Sequence, residues 1–160
     1  MRIAVVVTVT AALLTAGAAT PATPKVGCRP AQTVALVKQF VTAFNQGNRA
    51  VLNNRVWGGK AYFNWYSVSA GPGMRVDPEA RRRDTLMGYF AARHAAVEQL
   101  VITNIEINGV SGGGYRNFEF HLTRSATDLP ASPVAYTGKG ASSCTTGRLT
   151  TWAMTPSPRP

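Results

Sequence analysis

Two hydrophobic periods divide this chain. From Pro30 onward, Val34, Val37, Phe40, Val41 and Phe44 recur at helical spacing and form one apolar stripe. Pro30 suits a first-turn position, where its fixed φ and missing N–H cost little. Asn45-Gln46-Gly47 predicts the stop, because glycine readily takes the left-handed conformation that ends many helices. Asn48 then caps a short second helix bearing Val51, Leu52 and Val56, which Trp57-Gly58-Gly59 interrupts. Asp77-Pro78-Glu79 predicts the start of a third helix, with a capping acid and an early proline. Its stripe is Leu86, Met87, Phe90 and then Val97, with the helix running to about His94.

The second period is that of strands. Residues 61–69 form an aromatic strand candidate, and 99–108, 115–124, 134–143 and 148–155 follow in succession. Residues 115–124 alternate cleanly, with Phe118, Phe120 and Leu122 on one face and Asn117, Glu119 and His121 on the other. Glycine, proline and asparagine punctuate the connections at 70–73, 109–114, 128–133 and 145–147. An amphipathic helix laid on a curved antiparallel sheet tends to enclose a pocket, so the expected class is α+β.

The first residues read differently. Met1-Arg2, an apolar run from Ile3 to Leu14 and small residues at 16–19 make a secretory signal peptide over 1–19. A proline-rich extended leader covers 20–30, the folded domain 31–155, and 156–160 a disordered tail. The apolar run is short for a spanning helix, so no stable membrane insertion is expected after cleavage, and the mature chain is secreted or extracytoplasmic. In that oxidising setting the two cysteines, Cys28 and Cys144, are expected to pair. Two distant cysteines and two histidines show no ligand spacing, so no metal is expected.

Charge adds one further expectation. The formal net charge is +10, carried by 13 arginines and 4 lysines against 7 acids. Such a surface attracts anionic envelope polymers. Nucleic acid is not an expected partner, since no basic–aromatic interleaving marks a binding platform. Gly112-Gly113-Gly114 and Gly138-Lys139-Gly140 lack the spacing of a phosphate loop, and no cofactor is expected. Arg81-Arg82-Arg83 reads as a solvated face early in a helix.

The run FVTAFNQGNRAVLNNRVW resembles the opening of NTF2-like domains, and DTLMGYFAARHAAVEQLVITNIEINGV resembles their third helix and following sheet. The likeness spans residues 31–155 and includes the SnoaL-like branch. It implies a cone: a curved antiparallel sheet with about three helices across its concave side and a cavity between. It also implies a homodimer through the outer sheet face. Members of this family include isomerases, cyclases and hydrolases as well as proteins that only bind ligands, so the fold leaves the activity open.

Acid–base chemistry in such a cavity needs an inward carboxylate or imidazole. Glu119 and His121 share one strand face, about 6.5–7 Å apart, though the alternation favours Phe118, Phe120 and Leu122 as the inward set. His94 lies four residues after Phe90 and is the other candidate, with a helix C-terminus offering a structural reason for it as well. For ligand contact the candidates are Tyr62, Trp65, Tyr66, Phe90 and Trp152; core packing accounts for them equally well. The leading expectation is an exported domain that binds a small, partly apolar ligand in the cone. The alternatives are an isomerase, cyclase or hydrolase using His94, Glu119 or His121, and a basic surface-interaction protein.

Overall fold

The computed structural model describes residues 28–56, 64–69, 82–129 and 132–157. The expected signal peptide, Tyr62 and the expected Asp77 cap lie outside those residues. Three helices and five strands follow in order: α1 (Pro30–Asn45), α2 (Arg49–Val56), β1 (Asn64–Ser67), α3 (Arg83–Ala95), β2 (Gln99–Val110), β3 (Tyr115–Ser125), β4 (Val134–Ser143) and β5 (Leu149–Pro156). The strands make one open, curved sheet in the order β1-β5-β4-β3-β2. The β1–β5 pairing is parallel and the other pairings are antiparallel. This is the α+β cone expected from the two periods, with a mixed sheet where an antiparallel one was expected.

The helices form where the apolar stripes predict. α1 buries Leu36, Val37, Phe40, Val41 and Phe44. At its end Gly47 takes φ 63°, and the N–H groups of Gly47 and Asn48 return to the carbonyls of Phe44 and Ala43. That satisfies carbonyls the helix leaves open. Asn48 starts α2, its Oδ1 accepting from Val51 N at 3.1 Å. Asn45 ties α1 to β2 as if it were a strand residue: Nδ2 donates to Leu100 O and Oδ1 accepts from Leu100 N, both at 2.9 Å.

α3 begins later than its cap signal predicts. Arg82 is extended, at φ −94° and ψ 136°, and the helix starts at Arg83. Its first turn carries Asp84, an acid at the positive end of the dipole. At the other terminus β5 runs through Pro156, and Ser157 N donates to Ala135 O at 2.9 Å. The sheet thus extends into the expected tail.

Phe118, Phe120 and Leu122 are buried, as their alternation predicts. The first two lie across glycines on the neighbouring strand, in the register pairs Phe118↔Gly140 and Phe120↔Gly138. A Cβ on either glycine would stand 2.2 Å from the facing ring's Cζ. These mid-strand glycines therefore make room for aromatic rings.

The N-terminal end is held twice. Cys28 and Cys144 form a disulfide spanning 116 positions, and both are buried. Arg116 adds a polar clasp, its Nε donating to Cys28 O at 3.0 Å and its Nη1 to Asn108 O at 2.9 Å. Among the described residues, no helix is long and apolar enough to cross a membrane.

Candidate functional site

Period-two alternation brings one aromatic set to the concave side. Trp65 on β1 and Trp152 on β5 are register partners, their rings 6.1 Å apart and within 5° of parallel. Phe120 stacks on Trp152 at 4.1 Å, and Phe40 from α1 reaches the same ring at 5.0 Å. Phe90 from α3 meets Trp65 edge-on at 5.2 Å. Such offset and edge contacts are the favoured geometries for rings. Among the described residues these rings line the interior of the cone. The grooves between α1 and α2, between α2 and α3, and over the outer sheet lie outside it.

Two polar atoms in this interior stand out. The indole Nε1 atoms of Trp65 and Trp152 are buried, and neither has a hydrogen-bond partner among the described residues. An unsatisfied buried donor costs about 1–3 kcal/mol, and native cores contain few.

Beside the rings sits a polar network that no motif in the sequence marks. Arg124 and Glu98 are both fully buried. The Arg124 guanidinium meets the carboxylate through two bonds, Nε to Oε1 at 2.9 Å and Nη2 to Oε2 at 3.2 Å. Arg93 donates to the same Glu98 Oε2. Its two terminal nitrogens form a fork on Asp128, both at 2.7 Å. Tyr136 OH donates to Val68 O at 2.7 Å and lies 3.4 Å from Arg124 Nη1. Tyr89 OH bonds with Ser67 Oγ at 3.1 Å and accepts from Arg124 Nη2 at 3.4 Å. Two guanidiniums face two carboxylates, so the network's formal charges balance.

Burial alone would lower the pKa of Arg93; the bonds to Asp128 and Glu98 and the charge of Glu98 outweigh it, and the pKa rises. The Arg93 hydrogen bonds in turn hold the Asp128 carboxyl below its ordinary range, despite slight burial. Glu98 is the only buried carboxylate among the described residues, and both its oxygens already accept from guanidiniums. No free inward base is left in that set.

The expected site residues divide between two sides of the sheet. Trp65, Phe90 and Trp152 meet in the interior. Tyr66, next to Trp65 on β1, is 39% exposed and faces the opposite way, out of reach of an interior ligand. Glu119 and His121 occupy the convex face, where Glu119 pairs with Lys139 at 3.3 Å and His121 is exposed. His94 is exposed too and packs on the α1–α2 turn; a Cβ at Gly47 would lie 2.5 Å from its Cδ2. The three acid–base candidates are therefore not assembled in the interior. Among the described residues, no group of three or more His, Cys, Asp and Glu is placed to hold a metal.

One signal for the network was present. Arg124 continues the inward series of Phe118, Phe120 and Leu122, and a cation at an inward position implies a buried partner. Nothing in spacing alone identifies that partner as Glu98, which lies in the turn between α3 and β2.

No protein-family model matches this chain, and no curated protein does. Solved structures do. A candidate dehydratase of the NTF2-like family from Streptomyces avermitilis superposes with a TM-score of 0.60 at 13% identity, covering 81% of this chain and 96% of that one. An uncharacterised protein with a cystatin-like fold from Caulobacter vibrioides gives a TM-score of 0.60 at 14% identity, covering 80% and 89%. A candidate ketosteroid isomerase from Shewanella frigidimarina gives 0.54 at 16% identity, covering 81% and 98%. At such identities these likenesses show the fold alone.

Proposed function

We propose, from the premise that this chain is an NTF2-like cone, that it is an exported binding domain. It takes a small, largely apolar molecule among the interior rings. The observation that carries the reading is the make-up of the interior: aromatic faces surround two tryptophans, and the one buried carboxylate among the described residues is held by two arginines. Apolar walls with few polar groups are typical of small-molecule sites. The leader sequence at 1–19 and the buried disulfide support export.

Because the rings touch one another, an occupant enters by parting them. The test uses mature protein purified from a secreting host, extracted with organic solvent and examined by mass spectrometry, together with thermal shifts on adding apolar probes. A co-purified small molecule, or a rise in Tm with probe concentration, is the expected result. Neither appearing would refute the reading.

A second reading rests on the groove of about 390 Å³ between α2 and α3, lined by Arg49 and Arg83 together with Asp84, which pairs with Arg83 at 3.6 Å and leaves the groove one net positive charge. An anionic envelope polymer fits that charge. Its binding would weaken steeply between low and physiological salt, and salt-insensitive binding would exclude it.

A further inference from the structure

We propose that the Trp65 and Trp152 indole N–H groups are the polar end of the interior site and select a neutral ligand bearing an acceptor-only oxygen: a ketone, ester or ether on an apolar frame. This inference rests on the binding reading above and names the chemistry of its ligand.

The two donors belong to neighbouring, nearly parallel rings at register-paired positions, and both are buried without an acceptor among the described residues. Indole nitrogen donates and cannot accept. The rings in contact with them, those of Phe40, Phe44, Phe90, Phe118 and Phe120, offer no acceptor either. The phenol of Tyr89, which also touches Trp65, is engaged by Ser67 and Arg124.

Such surroundings discriminate among oxygens. A water molecule would satisfy the indoles yet leave its own two protons facing rings, and buried waters normally make about three hydrogen bonds. An alcohol strands one proton in the same way. A carboxylate would bring an uncompensated charge, since the nearby guanidiniums already meet Glu98 and Asp128. A carbonyl, ester or ether oxygen needs only donors and receives them.

Three bicyclic probes of nearly one shape separate these cases: 1-tetralone accepts only, 1-tetralol both donates and accepts, and tetralin does neither. Calorimetric titration of the mature, disulfide-intact protein should show the ketone binding about three- to tenfold more tightly than tetralin, with the alcohol no better than tetralin. Trp65→Phe and Trp152→Phe should each bring the ratio of ketone to tetralin affinity down toward one. If either variant fails to fold, ¹⁵N-indole NMR of the wild type gives the answer. The Trp65 and Trp152 N–H signals should move downfield with 1-tetralone and stay with tetralin.

Equal affinity for ketone and hydrocarbon would overturn the inference while leaving the binding reading intact. Preference for the alcohol would overturn it equally. Binding of none of the three, with no molecule co-purifying, would remove both.

Discussion

Glu98→Gln removes one charge from the interior and leaves Arg124, which is fully buried, without its carboxylate. Arg93 keeps its fork on Asp128, so the loss falls on Arg124. Breaking one side of a buried ion pair costs about 3–5 kcal/mol, because the remaining charge cannot be solvated. In a domain of this size that lowers Tm by roughly 10–20 °C. Urea unfolding followed by circular dichroism measures the free energy directly. The double variant Glu98→Gln/Arg124→Met should recover part of the loss, since it deletes the stranded charge as well as its partner. A Glu98→Gln cost below about 1 kcal/mol, or a double variant less stable than the single by the full value of Arg124→Met alone, would refute the charge argument.

Three more expectations follow from the same contacts. Gly138→Ala places a Cβ 2.2 Å from Phe120 Cζ and 2.5 Å from Ala153 O, and should cost about 1–3 kcal/mol by urea unfolding; Gly109→Ala, where a Cβ meets nothing within 4 Å, is the control. Reducing Cys28–Cys144, which spans 116 positions, should destabilise the mature protein by about 4–5 kcal/mol in the chain-entropy account; an unchanged Tm with reductant would contradict it. Asp128 has a lowered folded pKa, so its contribution is present above the ordinary carboxylate range and fades as pH falls from about 4 through the folded value. Asp128→Asn should remove that acid limb from the stability–pH curve, and an identical curve for the variant would show that the fork on Arg93 contributes nothing.

The elements were legible wherever one residue type fixed a period. The stripe of Val37, Phe40 and Phe44 predicts α1, and Phe118, Phe120 and Leu122 predict the buried face of β3. The stop at Gly47 was legible because its conformation is local. The start of α3 was not. Asp77-Pro78 is a local start signal, whereas the observed N-cap, Arg82, is an extended residue with no side-chain cap and so has no local signal of its own. Cys28 and Cys144 could be paired because no other cysteine exists. The aromatic interior was half legible. Trp65, Phe90 and Trp152 were expected as ligand contacts and do meet in the interior. Arg124 was visible as the next inward position on its strand, whereas the contacts of Arg93 with Glu98 and Asp128 depend on how α3 docks at the end of the sheet.

The central claim is that the ring-lined interior, and not an outer groove, receives the ligand. Intermolecular NOEs between bound 1-tetralone and assigned aromatic protons test it most directly. The account predicts NOEs to Phe90, Trp65 and Trp152, whose rings converge there. NOEs confined to Thr42, Gln46 and Val51, which line the groove between α1 and α2, would contradict it.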